Sequence, residues 1–226
     1  MKDLALLVPS RNRPGAIVEL MGAMIDTGTI SDLIVIVDDD DVNLNEYFDG
    51  SIKHKYQTFI VEREGKGMAK PLNKAARHFI DDYRHFAFLG DDHRPRSAEW
   101  DTDLIDELDR LGTGIAYGND LFMGAALPTA VAMTGNIVRA LGGMVPPDMI
   151  HLYLDNFWLR LGKDLGAISY LEDVIIEHMH PAAGKGEWDA GYKEVNASEV
   201  YDADRIALDT YLLSPSYSLL LSTLLA

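Results

Sequence analysis

The sequence of 226 residues contains no cysteine. This absence excludes structural disulfides, zinc sites built on thiolates and thiol nucleophiles. The chain also lacks any run of about 20 apolar residues, so no membrane-spanning segment is expected. The apolar run in MKDLALLVPSRNRP is too short for a secretion signal, and none is expected. A cytoplasmic protein in a reducing compartment fits these absences.

Basic residues are scarce: 20 Lys and Arg stand against 36 Asp and Glu, and the formal net charge is −16. A broad nucleic-acid surface is therefore not expected, because such surfaces need clustered Lys and Arg. A local basic site remains open, and the acidic excess suits either divalent cations or simple solubility. Apolar residues make up 47% of the chain, enough for a sizeable core, and the length fits one large domain.

Short apolar runs alternate with helical patterns through the first part of the chain. The runs LALLV, LIVIV, QTFIVE and HFAFL predict buried strands at 4–8, 33–37, 57–62 and 85–89, with helices at 14–25 and 70–83. This order predicts an α/β fold with a mostly parallel central sheet flanked by helices. Polar clusters at 10–13, 38–41 and 91–93 each follow a strand, so we expect them to meet in one crevice at the carboxyl ends of the strands.

The composition changes from about Asp120, where glycine, methionine and proline become frequent. We expect a single domain whose second half, 120–226, forms a smaller subregion that completes a pocket instead of extending the sheet of 1–119. A helix is predicted at 151–161, and AISYLEDVIIEHMHP contains a further strand. The C-terminal YLLSPSYSLLLSTLLA is predicted to pack on the domain or on a second subunit of a homo-oligomer. Contact with a membrane surface is a weaker alternative.

The stretch FLGDDHRP places Asp91, Asp92 and His93 together at the end of a predicted strand. Adjacent like charges usually have a positive partner. Carboxylates beside an imidazole suit Mn²⁺ or Mg²⁺, and the alternative is a turn or a helix N-cap. His178 and His180 are two apart on a predicted strand, so they share one face and could complete the metal coordination. The alternative for these two is a histidine pair without a ligand.

Other polar residues could face the same crevice. Arg11 and Arg13 follow the first strand, where they could hold a phosphate or a base edge. Neither G-x-G-x-x-G nor G-x-x-x-x-G-K-[ST] occurs, so dinucleotide oxidoreduction and P-loop hydrolysis have no motif. Lys70 and Asn73 could face the crevice or belong to a solvated helix face. Lys185 lies between glycines and could meet a phosphate or stay in solvent.

Asp155, in YLDNFW, lies in a predicted helix rich in apolar and aromatic residues. A carboxylate that points from such a helix into a pocket has a raised pKa and suits a general base. The alternative is an ordinary acid on the helix surface.

Five segments of the chain, in their order, resemble the motifs of one enzyme family. LLVPSRNRP, IVIVDDDD, GKGMAKPLNKAAR, FLGDDHRP and LDNFW are similar to motifs of the GT-A glycosyltransferases, especially the family-2-like group that uses nucleotide-sugar donors. The similarity runs from about Leu4 to Trp188. FLGDDHRP looks like the D-x-D element, with His93 in place of the last carboxylate. LDNFW stands where the family often has an E-D pair before an aromatic residue, and Asn156 departs from that pattern.

The resemblance implies a GT-A-like fold in which 1–119 binds the nucleotide-sugar and 120–226 forms the acceptor side. Asp155 would be the catalytic base. The donor-binding residues would be Pro9, Ser10, Arg11, Arg13, Asp38, Asp40, Lys70, Asn73, Asp91 and Asp92, joined by Lys185 if it meets a phosphate. The ligands of the metal cofactor, Mn²⁺ or Mg²⁺, would be Asp92, His93, His178 and His180.

The activity implied is metal-dependent transfer of a sugar from a nucleotide-diphosphate donor to an acceptor hydroxyl, with inversion. Alternatives are a nucleotidyltransferase on the same fold, a non-catalytic nucleotide-sugar-binding module and a metal-dependent phosphohydrolase. A nucleotidyltransferase usually has a G-x-G-T-R-like loop after its first strand, which VPSRNRP lacks. The acceptor stays open among glycans, lipid-linked glycans, small molecules, proteins and modified nucleobases.

Overall fold

A computed structural model describes residues 1–48, 56–186 and 188–226. Its first part consists of β1 (Lys2–Pro9), α1 (Pro14–Asp26), β2 (Asp32–Asp38), β3 (Tyr56–Val61), α2 (Ala69–His78) and β4 (Tyr83–Phe88). The predicted order of strands and helices is confirmed. Helix α2 is shorter than predicted, because the chain already enters β4 at Tyr83.

The rest of the chain adds four strands and six helices within the described residues. These are β5 (His93–Pro95), α3 (Trp100–Leu111), β6 (Ile115–Asn119), β7 (Val131–Thr134), α4 (Gly135–Leu141), α5 (Leu154–Leu165), β8 (Ile168–His178), α6 (Ala190–Val195), α7 (Ser198–Leu212) and α8 (Pro215–Leu224). Short 3-10 helices lie at Leu44–Phe48, Gly124–Ala126 and Pro181–Ala183.

The described strands form one sheet in the order β3-β2-β1-β4-β7-β6-β8-β5. The pairs β3-β2, β2-β1, β1-β4 and β6-β8 are parallel. Strand β7 runs antiparallel to both of its neighbours, and β5 runs antiparallel to β8. The prediction of an α/β fold with a mostly parallel sheet flanked by helices is therefore confirmed.

Strand β7 corrects the expectation that the region after Asp120 leaves the sheet. It inserts between β4 and β6, and its four residues are buried. Phe88 of β4 pairs with Val131, and His85 pairs with Thr134. The sheet therefore continues into the second half of the chain. A strand of four residues among glycines and prolines is too short to give a clear periodic signal.

Strand β1 illustrates how the parallel strands are buried on both faces. Ala5 and Leu7 belong to the core formed with α2, α4 and α5, whereas Leu6 and Val8 belong to the core formed with α1 and α3. Successive side chains of a strand point to opposite faces, so a strand covered on both sides is apolar throughout. This explains the unbroken apolar runs in the sequence.

The C-terminal segment forms helices that pack on the domain, as one of its predicted alternatives required. Helix α8 contacts α4, α5 and α7. It begins at Pro215, a favoured first helical residue, and the side chain of Ser214 accepts the backbone N–H of Tyr217 as its N-cap. Within the described ranges, no helix combines the length and apolar character that a membrane span requires.

Candidate functional site

A cleft of about 590 Å³ opens beyond the carboxyl ends of β1, β2 and β4. The polar clusters that follow these three strands meet there, as the sequence predicted. Loops from the second half of the chain close the other side. The predicted site residues that line the cleft are Pro9, Ser10, Arg11, Arg13, Asp38, Asp91, Asp92, His93, Asp155, His178 and His180.

Four predicted residues, Asp40, Lys70, Asn73 and Lys185, are not among the described residues that line the cleft. Asn73 is buried, and its side-chain amide donates to the carbonyl of Val145 and accepts the backbone N–H of Met144. It therefore fixes a loop instead of facing a ligand. Lys70 is exposed, and the Lys185 ammonium lies 2.8 Å from a carboxylate oxygen of Glu177.

Asp91 is buried where β1 and β4 end. Its carboxylate accepts the Ser10 hydroxyl at 2.8 Å and the Arg13 guanidinium at 3.2 Å. Burial raises the pKa of Asp91 to about 6, although Arg13 opposes this shift. The side chain thus forms the floor of the cleft and holds Ser10 and Arg13 in place.

Asp92 lies at the centre of a group of ionisable side chains. It accepts a hydrogen bond from the Tyr192 hydroxyl, and His178 Nε2 lies 3.1 Å from its Oδ2. Burial opposes the charge of Asp92, but the hydrogen bond with His178 and the neighbouring His93 imidazole hold its pKa well below the usual range. Asp92 is therefore an ionised carboxylate beside two imidazoles.

The rings of His93 and His178 stack with their centroids 4.2 Å apart. His93 Nε2 and His178 Nδ1 are buried without a hydrogen-bond partner in the described parts of the chain. One ligand atom each from Asp92, His93 and His178 lies within 4.8 Å of the others. A carboxylate with two imidazoles at this spacing could hold a divalent metal ion. The Gly90 amide donates to His93 Nδ1 at 2.9 Å, so the neutral His93 ring carries its proton on Nε2.

His180 lies beside this group but outside the closely spaced set. Its ring centroid is 5.0 Å from that of His178, and the rings of Phe122, Trp188 and Tyr192 surround it. Its Nδ1 accepts the backbone N–H of Ala182. Because His180 is not in the closely spaced set, it is a weaker candidate for a metal ligand than His178.

Asp155 lies in the first turn of α5 and is half-buried in the cleft. Burial raises its pKa, and its Oδ1 accepts the backbone N–H of Asn156. His151, a cleft residue that the sequence analysis missed, precedes it by four residues, before α5 begins. Burial lowers the pKa of His151 to about 4, so this ring is neutral near pH 7. The cleft therefore holds a carboxylate of raised basicity near a neutral imidazole.

On the side of the cleft across from Asp155, ion pairs with aspartates hold two arginines in place. The guanidinium of Arg11 donates to Asp38 at 2.9 Å and to Asp40 at 2.6 Å. Arg63, also missed in the sequence, lines the cleft and lies 3.3 Å from Asp40. Burial raises the pKa of Asp38 despite Arg11, whereas Arg11 lowers the pKa of the more exposed Asp40. Asp40 does not line the cleft itself, but it binds the guanidinium groups of Arg11 and Arg63, which do.

A segment near α6 supplies two further contacts that no sequence motif indicated. Asp189 lies 2.6 Å from the guanidinium of Arg13, and that guanidinium stacks 4.4 Å from the ring centre of Tyr192. Tyr192 also donates to Asp92. These residues come from the second half of the chain, and only the folded structure brings them to the end of β1.

No protein-family model matches the sequence, and no curated protein sequence does either. Solved structures do match. The mannosyltransferase PcManGT from Pyrobaculum calidifontis, solved with GDP-Man and Mn²⁺, is 15% identical over 97% of this chain and 78% of its own, with a TM-score of 0.56. GalNAc-T7, solved with UDP, GalNAc and Mn²⁺, is 12% identical over 93% of this chain and 47% of its own, with a TM-score of 0.67.

The chain has a GT-A-like fold. A putative glucose-1-phosphate thymidylyltransferase from Bacillus anthracis shares it, with 11% identity over 92% of this chain and 96% of its own and a TM-score of 0.51. Glycosyltransferases and nucleotidyltransferases therefore both resemble this structure. At these identities the likeness extends to the fold alone.

Proposed function

We propose that the protein is a metal-dependent glycosyltransferase that moves a sugar from a nucleotide-diphosphate donor to an acceptor hydroxyl. The observation that carries the proposal is the group of Asp92, His93 and His178, which lies in the same cleft as Asp155. A metal site and a carboxylate of raised pKa are the two parts that such a transfer needs.

The residues of the group fit Mn²⁺ or Mg²⁺. Two buried ring nitrogens lack a partner in the described chain, and the ionised carboxylate of Asp92 lies beside both rings. Asp92 and His178 would hold the ion, and His93 would join them only as the tautomer that carries its proton on Nδ1, which gives up the bond from the Gly90 amide. The chemistry supplied there, when such an ion is bound, is neutralisation of the charge that develops on the departing diphosphate. The Mn²⁺ in the PcManGT and GalNAc-T7 structures supports this choice of ion.

The arginine side of the cleft suits the nucleotide. Arg13 lies at the end of β1 beside the metal group, where a guanidinium can bind phosphate oxygens. Asp38, oriented by Arg11, can accept an N–H of the base or a ribose hydroxyl. Ser10 and Asp91 complete this side as residues that hold Arg13 in position.

Asp155 would act as the base. The acceptor oxygen forms a bond to the anomeric carbon while the bond from that carbon to the diphosphate breaks, and the electron pair leaves with the diphosphate. The proton of the acceptor hydroxyl passes to Asp155 Oδ2, because Oδ1 already accepts the Asn156 N–H. Burial makes this carboxylate a stronger base than one in water. A single displacement of this kind inverts the anomeric centre.

Thermal unfolding with nucleotides tests the proposal first. UDP, GDP, CDP, TDP and ADP would each be added with and without Mn²⁺, because a ligand that binds only the folded state raises Tm. We expect one nucleotide to raise Tm, and to do so only with Mn²⁺. If no nucleotide raises Tm under either condition, the proposed function is wrong.

A nucleotidyltransferase is the second candidate, because this chain spans 96% of the thymidylyltransferase that shares its fold. Such an enzyme would release pyrophosphate from a nucleoside triphosphate and a sugar phosphate. A glycosyltransferase would instead release a nucleoside diphosphate from a sugar nucleotide, and a binding module would release neither. Assay of these two products separates the three. The loop after β1 lacks glycine, which favours the glycosyltransferase.

A further inference from the structure

One fully buried carboxylate has no part in the chemistry proposed above. Asp204 of α7 has 0% of its surface exposed. Its Oδ1 accepts the backbone N–H of Ile150 at 2.6 Å, and its Oδ2 accepts those of His151 at 2.9 Å and Leu152 at 2.7 Å. Three successive N–H groups that converge on one oxygen pair form an anion-binding nest. The bonds offset the cost of burying the charge.

The segment held by Asp204 leads directly into the cleft. His151 and Asp155 both line the cleft, and Tyr153 between them has a φ of +60°, a left-handed conformation that is unusual for a residue other than glycine. Helix α5 begins at the next residue, Leu154. The path of 150–153 therefore sets where α5 starts and where its first-turn carboxylate lies.

The same segment is held from its other side by the start of α2. The carbonyl of Ile150 accepts the backbone N–H of Ala69 at 3.0 Å. Gly67 packs so closely that a Cβ there would lie 2.2 Å from this carbonyl oxygen, and its φ of +81° also favours glycine. The loop is thus fixed between two helices, and Asp204 provides the contact on the α7 side.

We propose that Asp204 is a positioning residue for Asp155, acting through the backbone of residues 150–152. This rests on the proposed function, in which Asp155 takes the acceptor proton. We call the three bonds from residues 150–152 to Asp204 a clamp. Loss of this clamp would shift the start of α5, and a displacement of about 1 Å at a reacting group can lower a rate roughly 100-fold.

The chain offers a matched control in Asp101 of α3. This residue is also 0% exposed, and its Oδ2 accepts the backbone N–H groups of Ile30 and Ser31 and the Ser31 hydroxyl. Of the residues described for the cleft lining, none belongs to this second clamp. Both are fully buried carboxylates that accept backbone N–H groups, although Asp101 Oδ1 has no partner among the described residues, and they differ in what they hold.

The experiment compares Asp204→Asn with Asp101→Asn in the full chain. Mn²⁺-dependent release of nucleoside diphosphate is measured with the sugar nucleotide that the wild type turns over. We expect Asp204→Asn to lower kcat about 100-fold with the donor KM unchanged, whereas Asp101→Asn keeps both constants and loses only Tm. Equal kcat values in the two variants would overturn the proposal.

Two further measurements do not depend on turnover. In the wild type, amide hydrogen exchange at residues 150–152 should be slow, and it should become faster in Asp204→Asn but not in Asp101→Asn. By NMR, the backbone chemical shifts of Asp155 should change in Asp204→Asn and stay the same in Asp101→Asn. Fast exchange at these amides in the wild type, or unchanged backbone shifts of Asp155 in a folded Asp204→Asn, would overturn the positioning role. A wild type that turns over no donor would overturn the proposed function, while these measurements still decide the role of Asp204.

Discussion

The two sides of the cleft differ in how their polar groups are partnered. On the arginine wall, formed by Arg11, Arg13 and Arg63, every guanidinium has a carboxylate oxygen within 3.3 Å. In the imidazole pair, His93 and His178, one buried nitrogen of each ring has no protein partner in the described chain. A buried polar group without a partner costs free energy unless a ligand supplies one. The imidazole pair therefore indicates a bound ligand more strongly than the arginine wall does.

This difference predicts graded effects of substitution. Groups on the arginine wall are already oriented by neighbours, so removing one charge leaves a partial network in place. Asp155 and the imidazole pair act on the reacting atoms or on the metal ion in the proposed mechanism. We therefore expect the largest effects at Asp155 and the smallest at the exposed end of the arginine wall.

Asp155→Asn should give the largest effect. The amide cannot accept the acceptor proton, so sugar transfer should fall about 100- to 10,000-fold while nucleotide affinity stays the same. Transfer is measured as nucleoside diphosphate released with acceptor present, and affinity by calorimetry. Asp164→Asn provides the control, because Asp164 lies on the same helix and binds Arg160 and Tyr217 instead of lining the cleft. Normal transfer by Asp155→Asn would show that another group is the base.

His151 extends the comparison to a third imidazole and links it to pH. Its pKa of about 4 in the folded state lies below the ordinary 6.5, so the unfolded chain binds more protons between these values. The folded state should therefore lose up to about 3 kcal/mol of stability as the pH falls from 6.5 to 4. Urea unfolding at several pH values across this range measures the free energy of unfolding. In His151→Gln, this free energy should fall by about 3 kcal/mol less than in the wild type.

The exposed His78 of α2 provides the control for this measurement. His78→Gln shows whether the exchange of any histidine for glutamine changes the dependence of stability on pH. If the wild type and His151→Gln lose stability in parallel between pH 6.5 and pH 4, burial of His151 does not govern this part of the acid response.

The parallel half of the fold could be predicted because each buried strand is an unbroken apolar run followed by polar residues. The same logic brought Ser10, Asp38 and Asp91 to one cleft. Strand β7 could not be predicted, because its pairing with β4 and β6 is decided by the space between those strands. Asn73 is a similar case. Helical spacing assigns it to one face of α2, but only the folded structure shows that this face packs against the loop at Val145 and not against the cleft.

The contacts that the sequence analysis missed join distant parts of the chain. Asp204 accepts backbone N–H groups that lie 52 to 54 positions earlier in the sequence, and Tyr192 donates to Asp92, which lies 100 positions earlier. Such contacts leave no local periodicity or motif, because each depends on where whole helices pack. Local signals therefore predicted the strand ends of the cleft, and tertiary packing alone reveals the groups that orient them.

His178 and His180 differ in whether they belong to the closely spaced group of possible metal ligands. His178→Gln should lower Mn²⁺-dependent nucleotide affinity at least about 10-fold, because it removes a nitrogen of the proposed metal site. His180→Gln should lower it less, since His180 lies outside the closely spaced set of possible ligands. Calorimetry with and without Mn²⁺ measures both, and affinity without Mn²⁺ should be unchanged. An equal loss in the two variants would place His180 among the metal ligands.

The arginine wall itself offers the smallest expected difference, between Asp38→Asn and Asp40→Asn. The side chain of Asp38 is 13% exposed and that of Asp40 is 51% exposed, although both bind Arg11. Exposed ion pairs contribute little and are screened by salt, so Asp40→Asn should change nucleotide affinity less than about twofold. Asp38→Asn should weaken binding several-fold and keep this effect at high salt. Equal and salt-sensitive losses would mean that Arg11 and its partners attract the nucleotide only through their net charge.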